Sequence, residues 1–209
     1  MAASPISVIN SNYCSSDTVN FDIVRKVMKV GSGNFVVTNV NDETIFKVKA
    51  FIFTLHDRRI LFDSAGNPIV TLYKKIMSMH ERWEIYRGES TEPKDLIFTV
   101  KRSSVFQWKA KLHVFLANNT AQEKCDFRVE NNIIYADESS TIVAHMEKRT
   151  GFRSFLFGKD KFKLTVYPNI DFAFIVTLIV ILDEICEGDL SKVISPIKLV
   201  NMAYGFPGI

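Results

Sequence analysis

The sequence is short of the features that most often announce an activity. It has only three cysteines in 209 residues, Cys14, Cys125 and Cys186, widely spaced and without a CxxC pair. That pattern argues against a disulfide scaffold and suits a reducing compartment. Cys125 alternates with Phe127 and Val129 in CDFRV, which makes it a candidate core residue. The net charge is +3, too small to point to nucleic acid by itself. The GxxxxGK(S/T), GxGxxG and GxSxG patterns are absent, so no phosphate loop, dinucleotide fingerprint or nucleophile elbow is legible. GSGNF at Gly31–Phe35 precedes a strand pattern rather than a helix, and reads as a turn. His56 in LHDRR and His80 in SMHERW each stand beside an acid and an arginine. Neither has the HExxH spacing of a zinc site, and Arg–carboxylate pairs at strand ends explain both more simply. His113 and His145 are isolated. The expectation is a chain that is not an enzyme and carries no cofactor or metal.

Long apolar runs are also missing. A spanning helix needs about 20 apolar residues. The longest run here, Phe172–Leu182 in DFAFIVTLIVILDEICEG, has eleven residues bracketed by Asp171, Asp183 and Glu184. The start, MAASPISVINSNYCSSD, has neither the basic region nor the apolar core of a signal peptide. A cytoplasmic location is expected.

What is present is a broad interior: 47% hydrophobic residues and 17 phenylalanines, enough to bury a sizeable core in one domain. Phe172–Leu182 is rich in β-branched residues, which favours a strand. Its length and its ends favour a helix: Pro168, Asn169 and Asp171 offer a start, and Gly188 a stop. A helix apolar on every face must be surrounded by protein. The pattern therefore predicts a central helix over about Asp171–Glu187.

Most of Asn34–Tyr167 reads as short strands separated by turns. Phe46 and Val48 alternate with Lys47 and Lys49. Ala110, Leu112, Val114 and Leu116 oppose Lys109, Lys111, His113 and Phe115; Phe162, Leu164 and Val166 oppose Lys161, Lys163, Thr165 and Tyr167. Such one-sided burial marks an antiparallel sheet or barrel. NFVVTNVNDETIFKVK, RILFDSAGNPIVTLYKK and NIIYADESSTIVAHMEK each read as a hairpin. Consecutive hairpins that must bury their apolar faces and hide their edges suggest a β-barrel threaded by its own C-terminal helix. Residues 1–18 are rich in Ser and Asn, and a disordered tail over 1–20 is expected. Asp22–Lys29 is either a helical turn or a first strand. The domain is expected over 21–188, followed by a mildly apolar tail over 189–209.

Six stretches in order, IVRKVMKVGSGNFVVTNVNDETIFKVK, LHDRRILFDSAGNPIVTLYKK, MSMHERWEIYRG, DLIFTVKRSS, CDFRVE and FGKDKFKLTVYPNIDFAFIVTLIVILDEI, resemble the plant LURP-one-related family across about residues 22–186. The resemblance implies a mainly β (α+β) fold like the tubby C-terminal domain: a twelve-stranded antiparallel barrel around a hydrophobic central helix. Phospholipid scramblases look like relatives of that fold. The resemblance further implies an association with plant defence responses and no enzymatic activity. By analogy with tubby domains, it suggests phosphoinositide binding through a basic surface.

Two basic clusters are candidates for that surface. KRSSVFQWKAK carries Lys101, Arg102, Lys109 and Lys111 around Phe106 and Trp108, without an acid. Such cations could hold an anionic headgroup while a ring enters the interface. The bland alternative is a solvated strand face with Trp108 in the core. EKRTGFRSFLFGKDKFK carries Lys148, Arg149, Arg153, Lys159, Lys161 and Lys163 against Glu147 and Asp160. Lysines at turns and edges also serve simply to block aggregation. The candidate headgroup residues are Lys101, Arg102, Lys109, Lys111, Lys161 and Lys163, on a protein peripheral to the plasma membrane. The competing expectation is a protein–protein adaptor in defence signalling, using Val193–Phe206 or an exposed aromatic patch instead of the cations. A scramblase-like activity is disfavoured by the short helix, and DNA binding by the low net charge.

Overall fold

The structure, a computed structural model, describes residues 4–26, 34–51, 58–75, 82–103, 111–137, 141–149 and 161–186. Twelve strands follow one another in sequence: β1 (Val19–Lys26), β2 (Asn34–Asn39), β3 (Thr44–Phe51), β4 (Arg58–Asp63), β5 (Pro68–Lys75) and β6 (Arg82–Arg87), then β7 (Leu96–Arg102), β8 (Leu112–Leu116), β9 (Phe127–Glu130), β10 (Ile133–Ala136), β11 (Ile142–Arg149) and β12 (Lys161–Val166). Each pairs antiparallel with the next, and β12 pairs with β1, closing the barrel. Odd strands run from a base to a rim, and even strands return. The segment expected as helix or strand at Asp22–Lys29 is strand where it is described. The three expected hairpins are β2–β3, β4–β5 and β10–β11.

Alternation sets the two faces. Phe46, Val48, Leu112, Val114, Phe162, Leu164 and Val166 are buried inside, while Lys47, Lys49 and Lys163 are exposed outside. An eight-stranded barrel is filled by its own side chains, but twelve strands enclose more space. Here a helix, α1, fills it over residues 172–186. Fifteen residues at about 1.5 Å each span about 22 Å, which matches strands of six to eight residues at about 3.3 Å each. Propensity disfavours a helix of Ile and Val, but a lone strand on the barrel axis would leave its amides and carbonyls unpaired. A helix satisfies its own. From Ala173 to Leu182 every residue is buried, and Ile185 is too. Phe174 meets Phe98 and Phe127 at ring-centroid distances of 5.1 and 4.8 Å. Thr177, the one polar residue in the run, bonds back to the Ala173 carbonyl at 2.8 Å.

Both helix ends are tied. At the base, Asp171 is fully buried and acts as N-cap, its Oδ1 accepting from the Phe174 amide at 3.1 Å. Its Oδ2 accepts from the amides of Val8, Ile9 and Asn10 at 3.2, 2.7 and 3.0 Å. At the rim, Asp183 and Glu184 lie where the helix dipole repels negative charge. Barrel-wall arginines compensate: Arg25 reaches Asp183 at 3.2 Å, and Arg59 pairs with Glu184.

Two expectations need correction. The N-terminal residues described, from Ser4 on, do not form a disordered tail, and β1 begins at Val19. The Ile6 amide donates to the Asn169 carbonyl at 2.8 Å, and the Asp171 amide to the Ile6 carbonyl at 3.0 Å. Tyr13 packs edge-on against Phe46 and Phe172, each at 5.5 Å. The Ser and Asn residues shape turns between these anchors; Asn10 caps the short turn Ser11–Tyr13. Cys125 is the second correction: it is half-buried in the connection before β9, outside the alternation that places Phe127 and Val129 inside. The expected tail over 189–209 lies outside the described residues. Among the described residues no helix is long and apolar enough to cross a membrane.

Candidate functional site

The structure separates the candidate cations that it describes. Lys101 and Arg102 end β7, and alternation sends them to opposite faces of the wall. Arg102 turns inward with Phe98 and Val100 and is only 7% exposed. Lys111 leads into β8 and is bonded to Glu130 Oε1 at 2.6 Å. That hydrogen bond, with the Lys111 and Arg128 charges, holds the Glu130 carboxyl below the usual carboxylate range. Lys163 is exposed on β12, and its cross-strand neighbours, Asp22 on β1 and Glu147 on β11, are both acidic. Lys161 opposes Val24 and Arg149. Between β8 and β12 stand β9, β10 and β11, so Lys111 beside β8 and Lys163 on β12, members of the two sequence clusters, do not meet. Lys109, Phe106 and Trp108 lie outside the described residues, as do His56 and His80. The arginines beside those histidines form ion pairs, as expected: Arg59 with Glu184 and Arg82 with Glu84.

A different constellation forms around Lys101. Its cross-strand neighbours are Arg82 on β6 and His113 on β8; Arg82 in turn opposes Lys75 on β5, and His113 opposes Arg128 on β9. Lys75, Arg82, Lys101, His113 and Arg128 thus form one row across five adjacent strands. All occupy outward positions, alternating with buried Leu72, Trp83, Val100, Leu112 and Val129. Like charges placed directly opposite one another destabilise a sheet, so this order is not what packing alone favours.

The wall holds the row in place. Glu84, outward on β6 but only 5% exposed, lies 3.2 Å from Lys75 Nζ and 3.3 Å from an Arg82 nitrogen. It also accepts from the Tyr86 hydroxyl at 2.7 Å. Burial, then that bond, raises the Tyr86 phenol well above its ordinary value, so it stays a donor. Lys101 Nζ rides 5.0 Å above the Phe115 ring, and the Arg128 guanidinium 4.3 Å above Tyr135. Burial, and then the Arg82 charge, pushes the Lys101 ammonium below its usual value. An added anion would relieve that repulsion. Of the row, only Lys101 belonged to the expected set. Lys75, Arg82 and Arg128 are scattered in sequence and meet only through strand register. Among the described residues no group of three or more His, Cys, Asp or Glu side chains is placed to hold a metal.

Known proteins share this chain's plan. The LURP-one-related family profile matches residues 19–183. Protein LURP-one-related 15 of Arabidopsis thaliana is 48% identical over 188 residues, covering 87% of this chain and 87% of that protein. Protein LURP1 of the same plant is 49% identical over 187 residues, covering 87% of this chain and 90% of its own. An X-ray structure of an Arabidopsis thaliana protein superposes with a TM-score of 0.67 at 42% identity, covering 86% of this chain and 98% of that one. With the family profile spanning the barrel and its helix, the chain belongs to the LURP-one-related family.

Proposed function

We propose that this protein is a non-enzymatic binding and signalling module of plant cells. It docks on anionic phospholipid, phosphoinositides included, at the cytoplasmic face of the plasma membrane, and serves the defence response. The observation that carries this reading is the cation row of β5–β9, in which basic side chains face one another strand to strand while Glu84 pairs with Lys75 and Arg82. Each basic residue close to an anionic leaflet contributes about 1 kcal/mol, so the four permanent cations supply at most about 4 kcal/mol, less what Glu84 neutralises on Lys75 and Arg82. That corresponds to a constant of about millimolar or weaker, a reversible hold suited to a peripheral module.

Co-sedimentation with liposomes, with and without phosphoinositide, tests the reading. The intact protein should pellet with anionic vesicles, and a Lys101→Glu, Arg128→Glu variant with an unchanged thermal melt should stay in solution. If the intact protein remains in solution at physiological salt, the lipid reading fails and protein partners become the target.

A further inference from the structure

The row follows the curved barrel wall over four of its twelve strand-to-strand steps, and its length bears on what it can read. Neighbouring strands lie about 4.8 Å apart, so the four steps from Lys75 to Arg128 cover about 19 Å. That is longer than a single lipid headgroup. The four permanent cations sit on four of five adjacent strands, with His113 on the remaining one, so no one headgroup meets them all. Nor are they free to converge. Glu84 holds Lys75 and Arg82 side by side, while Phe115 and Tyr135 support the Lys101 and Arg128 side chains from below. The result is an array of fixed spacing rather than a set of side chains folding around one ligand.

We infer that this wall reads surface charge: it engages several anionic headgroups of a bilayer at once instead of lodging one phosphoinositide. The inference rests on the membrane reading above and narrows its partner to a densely anionic bilayer of any headgroup chemistry. Cations acting on separate headgroups contribute separately, so binding rises as a power of the anionic fraction. A soluble headgroup touches too few of them to compete.

The test uses the full-length protein and phosphatidylcholine vesicles with increasing phosphatidylserine, then vesicles carrying phosphoinositide at matched surface charge. Binding should rise steeply and sigmoidally with phosphatidylserine and be equal at matched charge. Free inositol trisphosphate should not displace it. Lys101→Gln and Arg128→Gln should each lower partitioning about fivefold, equivalent to about 1 kcal/mol, and flatten the curve with either lipid. Lys163→Gln, between Asp22 and Glu147, should leave it unchanged. Binding that follows phosphoinositide at constant surface charge and is displaced by inositol trisphosphate would overturn the inference while sparing the membrane reading. No binding to any anionic vesicle, even at low salt, would remove both.

Discussion

Asp171→Asn is the most informative single substitution in the fold. The native carboxylate is fully buried and accepts four backbone amides, three from the N-terminal segment and one from α1. Asparagine offers one oxygen and one NH2 group. If the oxygen faces Val8, Ile9 and Asn10, the NH2 confronts the Phe174 amide and the helix cap is lost, costing about 1 kcal/mol. The three remaining bonds fall from charge-assisted to neutral strength, a difference of about 1 kcal/mol each at most. Relief of the buried charge's desolvation offsets part of this. A net loss of about 3 kcal/mol is expected. For a domain of this size that lowers the Tm by about 6–12 °C. Urea and thermal unfolding measure it. Deleting residues 2–18 removes three of the donors, so Asp171→Asn should cost only about 1 kcal/mol in that background. A substitution cost below about 0.5 kcal/mol in the full chain would refute the reasoning, since surface-like changes reach that size. So would an equal cost with and without the segment, because coupled residues must be non-additive.

Other perturbations test other parts. Arg59→Met should destabilise by about 3 kcal/mol, because it removes a charged partner from Glu184, whose side chain is only 10% exposed; adding Glu184→Met should restore most of the loss in urea unfolding. Phe174→Ala, which opens a cavity between Phe98 and Phe127, should cost about 3–5 kcal/mol by the same measurement. Glu130 has a depressed folded pKa. Its stabilising contribution is therefore present above the ordinary Glu value of about 4.3 and lost as pH falls through the lower folded value. Glu130→Gln should flatten the stability-versus-pH curve in that acid window alone, read by chemical denaturation at a series of pH values.

The fold was largely legible because its strands are wet on one side. Phe46 and Val48, Leu112 and Val114, and Phe162, Leu164 and Val166 declare an inner face by period two alone. The helix was legible from an all-apolar run too short for a membrane. The N-terminal segment misled because a handful of anchors, Ile6, Ile9 and Tyr13, are spaced by Ser and Asn residues whose turns look like disorder in composition. The candidate site was harder still. Lys101 and Arg102 are neighbours in sequence but lie on opposite faces, so a sequence cluster is not a surface cluster. Lys75, Arg82, Lys101 and Arg128 become neighbours only through register. The register of β6 against β7 shifts at Ile85/Tyr86, an irregularity that no residue pattern announces.

The most direct test of the central claim places an environment-sensitive fluorophore on either side of the barrel. In a chain with Cys14, Cys125 and Cys186 replaced by Ser, one probe is attached through His113→Cys in the cation row. The other is attached through Lys163→Cys on β12, across three intervening strands. Anionic vesicles should shift the emission of the first probe to the blue and leave the second unchanged. A shift at position 163, or none at position 113 while the protein is bound, would contradict the assignment of this wall as the membrane-facing surface.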